Sequence, residues 1–251
     1  MTFVRSVSIS LVLAALVGPS RLGAQYQQAA GVTTRFNIKI ENISRGGALK
    51  LSNGMTAPFV SAPALWVIHE GGANPIFTGG KADARQGLEL LAETGNPSEL
   101  VQSLTGKPGI AAVGADATAV GATAEGPITP GQEYEFVVLA RPGQVLSTAW
   151  MFGQSNDLFY SNDRPIALFD VSGRPTSEEI TARLALWDAG TEVNEEPGLG
   201  PNQGPRQKTP DDGVQERQGV AHVNDGYSYP RTADVLRVTI TPVSGVVSAN
   251  K

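Results

Sequence analysis

The sequence predicts an all-β fold, an antiparallel β-sandwich with one or two short helices inserted and with long loops. Glycine and proline are abundant, at 29 and 17 of 251 residues, which is typical of a chain with many turns. Several segments alternate apolar and polar residues with the period of a half-buried strand. No long heptad or short repeat is visible, which argues against a helical bundle. The length is that of one domain.

Charge and composition exclude several classes of function. The formal net charge is -5, and no basic stripe is interleaved with aromatic residues, so we expect no binding to nucleic acid. No apolar stretch is long enough to span a membrane as a helix. The chain has no cysteine, so no disulfide can hold the fold together. Stability must come from the core, with a bound ion as a further contribution.

Residues 1–24 have the pattern of a signal peptide. Arg5 gives a positive start, residues 7–17 are almost wholly apolar or small, and a cleavage site fits before Gln25. Loss of Arg5 and Arg21 would leave a mature charge of 17 - 24 = -7. We therefore expect an exported protein, periplasmic or secreted, with its domain over residues 25–243 and a flexible tail over 244–251.

The predicted strands are alternating segments or short apolar runs bounded by turn residues. They cover residues 34–40, 64–68, 132–140, 145–152, 165–169, 181–187 and 234–242, with a short further strand near 49–51.

Two short helices and two long loops complete the prediction. Apolar residues fall at helical spacing over 82–93, and Asn96-Pro97-Ser98-Glu99 resembles the start of a second short helix. Residues 111–126 are mostly small, and we expect a mobile loop there. Residues 193–232 are rich in Pro, Gly, Asn and Gln. A connection of that length inside one domain tends to be functional.

Three acidic residues are candidate metal ligands. Asp188 and Glu192 lie on either side of Gly190, which permits a backbone turn just after a predicted strand. Asp157 is the only carboxylate in the polar turn of residues 152–158. If the two strands end at the same pole of a sandwich, Asp157, Asp188 and Glu192 would surround one cation. Hard oxygen ligands of this kind favour Ca²⁺.

Two motifs resemble the amino-terminal spondin domain. That family places Pro-Ser-Pro-Asp-Trp after a strand methionine and Trp-Asp-Ala-Gly-Thr-Asp some thirty residues later. Here residues 151–160 and the sequence Trp-Asp-Ala-Gly-Thr-Glu at 187–192 occupy the corresponding positions. The resemblance extends roughly over 33–243. The chain departs from the pattern in lacking the prolines of the first motif and in having Glu192 where aspartate is usual.

The resemblance implies an extracellular β-sandwich related in shape to C2 domains, with calcium held by Asp157, Asp188 and Glu192. It also implies a non-enzymatic role in structural support or in adhesion to a surface partner. The sequence does not identify that partner. Fold resemblance alone does not transfer the matrix and adhesion role of animal members.

The main alternative is a secreted carbohydrate-active enzyme or other hydrolase that uses Asp157 and Asp188 as a carboxylate pair. Ser155 lacks the final glycine of a nucleophile elbow, and two histidines, His69 and His222, are too few for a catalytic zinc site. The sequence Asp-Asp-Gly at 211–213 lacks the ligand spacing of an EF-hand and indicates a solvated turn.

Overall fold

The computed structural model describes residues 33–247, and in this range two antiparallel sheets face each other. The signal peptide predicted at 1–24 and residues 248–251 lie outside the described residues. The strands are β1 (Thr33–Asn42), β2 (Leu49–Lys50), β3 (Thr56–Ala57), β4 (Ala64–Glu70), β5 (Ile110–Asp116), β6 (Glu133–Ala140), β7 (Gln144–Met151), β8 (Leu158–Asn162), β9 (Ile166–Ala167), β10 (Glu178–Glu179), β11 (Leu184–Asp188), β12 (Ala221–His222) and β13 (Leu236–Val247). The α-helices are α1 (Leu88–Thr94), α2 (Ser98–Leu104) and α3 (Thr232–Val235), and a 3-10 helix covers Thr181–Arg183.

The smaller sheet has the order β10-β13-β1-β6, and the larger sheet has the order β12-β11-β8-β7-β4-β5 with β9 beside β7. A separate hairpin pairs β2 with β3. The predicted all-β sandwich is therefore confirmed. β13 continues to Val247, where it pairs with Thr33, so the last strand runs beyond the predicted domain end at 243.

The principal core fills the space between the sheets. β1 alternates as its sequence predicts, with Phe36, Ile38 and Ile40 buried. From the larger sheet, Trp150 and Tyr160 are fully buried in the same cluster. Burial of these large aromatic side chains contributes to the stability of a chain without disulfides.

A second core lies on the other face of the larger sheet. Helices α1 and α2 contribute Leu88, Leu91, Leu100 and Leu104, which pack with Leu65, Phe159 and Trp187. The middle strands are thus covered on both faces, and every residue of β8 is buried. This third layer explains why β8 shows no apolar–polar alternation in sequence.

The mobile loop predicted for 111–126 is wrong over its first part, where β5 pairs with β4. Small residues suit this strand because a large ring lies over it. A Cβ atom added at Gly114 would lie 2.5 Å from Cζ2 of Trp66, which is stacked on Phe136. The glycine at position 114 therefore reflects the space taken by Trp66.

Replacing Gly114 with alanine should destabilise the protein by about 1–3 kcal/mol, because Trp66 must shift within a packed region. Gly126→Ala is the matched control, since no atom lies within 4 Å of the added Cβ there. The control should change stability by less than about 0.5 kcal/mol. Denaturant unfolding measures both, and equal stability of the two variants would contradict this packing.

Within the described range no helix is both long and apolar enough to cross a membrane.

Candidate metal centre

Asp157 lies in the tight turn between β7 and β8. Phe152 N–H donates to the Leu158 carbonyl at 2.9 Å and closes the turn. Ser155 Oγ donates to the Phe152 carbonyl at 2.6 Å and accepts from Leu158 N–H at 3.1 Å. Leu158 pairs with Asp188 of β11. The turn therefore places Asp157 beside the end of β11, as predicted for two strands that end at one pole.

The two oxygens of the Asp157 carboxylate differ in their surroundings. Oδ2 accepts from the backbone N–H groups of Thr191 and Glu192, each at 3.0 Å, and from Thr191 Oγ1 at 3.3 Å. Oδ1 is buried and accepts a hydrogen bond from no donor, and the Asp157 side chain lies within hydrogen-bonding reach of the Asp188 carboxylate. The residue is 0% exposed. A buried polar oxygen without a partner is uncommon and costly, so Oδ1 points to a missing donor or cation.

Asp188 ends β11 and opens the turn that carries Thr191 and Glu192 towards Asp157. Its Oδ1 accepts from Gly190 N–H at 2.6 Å, and its Oδ2 accepts from Asn194 Nδ2 at 2.5 Å. Gly190 has φ of +71°, the left-handed region that glycine enters at no steric cost. The predicted turn at Gly190 is present, and it brings the backbone N–H groups of Thr191 and Glu192 to Asp157.

The carboxylates at this pole lack compensating positive charge. Burial raises the pKa of Asp157 well above its ordinary value, and the neighbouring Asp188 carboxylate raises it further. Burial also raises the pKa of Asp188 and of Glu192. Among the described residues, no Lys, Arg or His forms an ion pair with any of the three. The electrostatics therefore favour binding of either a proton or a cation.

Glu192 is fully buried, but its carboxylate faces the long loop of residues 193–231. Oε1 accepts from Gly213 N–H at 2.8 Å and from Gln215 Nε2 at 3.4 Å, while the buried Oε2 has no partner. Glu192 also forms an isolated β-bridge with Gln215. Glu192 therefore holds this loop against the pole.

Glu93, near the end of α1, is a residue that the sequence analysis missed. It is 1% exposed, and its Oε2 accepts from Asp211 N–H at 3.0 Å. Its Oε1 lies 3.3 Å from Thr191 Oγ1, the same hydroxyl that contacts Asp157. The pKa of Glu93 is raised to about 7, mainly by burial and in smaller part by the Glu192 carboxylate. Thr191 thus links two buried carboxyl groups.

A second set of carboxylates has the spacing of metal ligands. One oxygen each from Glu89, Glu93 and Asp211 lies within 4.8 Å of the other two, so this group could hold a metal ion. Glu89 and Glu93 share a helix face at i and i+4, which is a signal visible in the sequence. No comparable signal in the sequence indicates that Asp211, from the long loop, joins them. Asp211 is exposed, as a solvated turn predicts, but its backbone is bound to Glu93.

The three predicted ligands do not form so compact a group among the described residues. Asp157 and Asp188 are neighbours, whereas contacts to Gly213 and Gln215 fix one oxygen of Glu192. The complete set of Asp157, Asp188 and Glu192 stays a prediction.

The residues considered for enzyme chemistry have structural contacts. Ser155 is buried, and its hydroxyl is used by the backbone of its own turn. His69 is 3% exposed. Its Nε2 lies 3.0 Å from Ser147 Oγ, and its Nδ1 is hydrogen-bonded to the Glu70 carbonyl. His222 is exposed, and its ring stacks on Trp187 with ring centroids 3.9 Å apart.

Comparison with known proteins adds no assignment to this geometry: no family model matches the chain, and no curated protein is significantly similar to it in sequence.

Proposed function

We propose that the protein is an exported, calcium-binding β-sandwich module with a non-enzymatic role in structural support or in binding a surface partner. The observation that carries the proposal is Asp157 Oδ1, a fully buried carboxylate oxygen that no donor satisfies, in a side chain within hydrogen-bonding reach of the Asp188 carboxylate. A cation between the two would satisfy Oδ1 and offset their mutual repulsion.

Calcium fits the available oxygen ligands better than zinc does. The candidate ligands are carboxylate oxygens, with Glu192 as the predicted third acid, and backbone carbonyls and water would complete six to eight oxygen ligands. The chain has no cysteine and only two histidines, which disfavours zinc. An extracellular module of this kind binds calcium at about 10⁻⁴ to 10⁻³ M.

Protons compete with calcium for the same oxygens. A proton on Asp157 Oδ1 would let it donate to a neighbouring acceptor, and the raised pKa of Asp157 favours that form in the absence of a cation. Calcium needs the ionised carboxylate, so its affinity should fall as the pH falls.

The alternative of a carbohydrate-active enzyme is less well supported. A glycosidase acid or nucleophile must touch the sugar that it acts on. Asp157 is 0% exposed, and its Oδ2 is committed to the Thr191 and Glu192 backbone. Its position suits a ligand that holds an ion from inside the protein.

Export and family membership are part of the proposal. The signal peptide pattern at 1–24 supports delivery to an environment where calcium can reach a weak site. The spondin-like motifs at 151–160 and 187–192 support calcium as the ion, and the contact between the two motifs in the structure agrees with that interpretation.

The test is thermal unfolding of the purified protein in calcium and in EDTA. A ligand at a hundredfold excess over its Kd stabilises the native state by about 2.7 kcal/mol. For a domain of this size that corresponds to a rise in Tm of about 5–10 °C. Asp157→Asn should abolish the rise. Asp163→Asn, at an exposed aspartate that follows β8, should retain it. Equal Tm values of the wild type in calcium and EDTA would contradict the proposal.

A further inference from the structure

An open groove of about 600 Å³ lies next to the candidate calcium site. Its lining includes Asp188, Glu216, His222, Asn224, Asp225 and Tyr227. The volume is in the range of small-molecule binding sites. Asp188 belongs both to this groove and to the carboxylate pair with Asp157.

Asp188 separates the groove from the protein interior. Asp157 has no exposed surface, whereas Asp188 is partly exposed and lines the groove. An ion held by both would have Asp157 on its inner side and the groove on its outer side. A ligand in the groove could therefore supply oxygen atoms to the ion.

The charges of the groove restrict which oxygen ligands fit. Asp188, Glu216 and Asp225 contribute three carboxylates, and no Lys or Arg is among the lining residues. The Asp225 carboxylate is fixed by Tyr229 OH at 2.6 Å and by Tyr227 N–H at 2.9 Å. Carboxylate, phosphate and sulfate groups would be repelled by these walls, so the lining favours uncharged oxygen groups.

Other lining residues suit hydroxyl groups and a flat apolar face. Asn224 offers an amide, which both donates and accepts hydrogen bonds, whereas Asn194 Nδ2 already donates to Asp188 and Gln218 Nε2 already donates to Glu216. Tyr227 is 42% exposed, and His222 is held flat on Trp187. A pyranose ring has hydroxyls at its edge and an apolar C–H face, which this combination matches.

We propose that the groove binds a neutral carbohydrate, with sugar hydroxyls bound to calcium at Asp157 and Asp188 and the sugar ring against Tyr227. This inference rests on the proposed calcium site and names the class of surface partner that the module recognises. A basic peptide is the competing ligand, because the acidic lining also attracts positive charge. Protonated amines cannot coordinate a metal ion, so such binding would need no calcium.

Retention on immobilised mannan, dextran and galactan, in calcium and in EDTA, tests the inference. Retention on at least one polysaccharide should require calcium and should weaken roughly tenfold or more in Tyr227→Ala and Asn224→Ala. Both variants should keep the calcium-dependent rise in Tm, which shows that they fold and bind the ion. Val171→Ala, at a fully exposed residue outside the groove lining, should bind like the wild type.

The contradicting outcomes separate the carbohydrate from the calcium site. No retention on any of the three, with the calcium-dependent rise in Tm intact, would overturn the carbohydrate inference and leave the calcium site standing. Retention that persists in EDTA and in Asp157→Asn would exclude coordination through the ion. Tyr227-dependent binding of oligolysine without retention of polysaccharide would assign the groove to a basic ligand. If calcium does not raise the Tm of the wild type, both the calcium site and the carbohydrate inference are contradicted.

Discussion

In EDTA, Glu93→Gln should gain stability relative to the wild type as the pH rises, by about 1–3 kcal/mol between pH 4.5 and about pH 7. The pKa of Glu93 is raised from 4.5 to about 7, mainly by burial. The folded protein therefore binds a proton in this interval that the unfolded chain has released. The resulting stabilisation is fully present below 4.5 and is lost as the pH rises through 7.

Glutamine can keep the two contacts of Glu93. Its Oε1 can accept from Asp211 N–H, and its Nε2 can donate to Thr191 Oγ1. With Glu93 ionised, the Thr191 hydroxyl has one hydrogen for two carboxylates, on Glu93 and on Asp157. The neutral amide removes that conflict together with the charge, so the variant should lack this part of the pH dependence.

Denaturant unfolding at a series of pH values measures the difference. Glu99→Gln is the matched control, because Glu99 lines the same surface pocket as Glu93 but is exposed. Its stability should follow the wild-type curve. If the free energy of unfolding depends on pH in the same way for the wild type and for Glu93→Gln, ionisation of Glu93 does not destabilise the folded protein. That result would contradict the expected effect of its burial.

Gly190→Ala should destabilise the protein by about 2–5 kcal/mol and reduce calcium binding. The left-handed φ of +71° costs an alanine about 1–2 kcal/mol. The added Cβ would also lie 2.9 Å from the Gln218 carbonyl oxygen, and overpacking costs about 1–3 kcal/mol more. Since this turn positions both Asp188 and Glu192, the calcium-dependent rise in Tm should shrink.

Gly226→Ala separates the two costs. Gly226 also has a positive φ, at +86°, but nothing lies within 4 Å of its added Cβ. This control should lose only the backbone contribution and should keep the full calcium response. Thermal and denaturant unfolding with and without calcium give both quantities. A Gly190→Ala variant no less stable than Gly226→Ala would contradict the close approach of the turn to Gln218.

Local sequence patterns predicted the elements that are exposed on one face. β1 alternates because one side packs in the core while the other faces solvent, and helix α1 has its apolar residues at helical spacing. β5 was missed in part because Gly114 accommodates the ring of Trp66, a long-range contact that no local pattern contains. The 3-10 helix at Thr181–Arg183 likewise replaces the first residues of a predicted strand.

The candidate site was predictable only in part, for the same reason. Asp157 and Asp188 could be placed together because each follows a strand pattern at a turn. Glu93 reaches the pole because helix α1 covers the outer face of the larger sheet, and Asp211 reaches it from within a long loop. Those positions depend on the third layer of the fold and on loop packing, which spacing along the chain does not encode.

A crystal structure of the protein grown with calcium tests the central claim most directly. We expect a calcium ion at about 2.3–2.6 Å from Asp157 Oδ1 and from a carboxylate oxygen of Asp188. The same crystal would show whether Glu192 is the third acidic ligand. Asp157 Oδ1 bonded only to Asp188 or water in saturating calcium, or calcium bound solely by Glu89, Glu93 and Asp211, would contradict the claim.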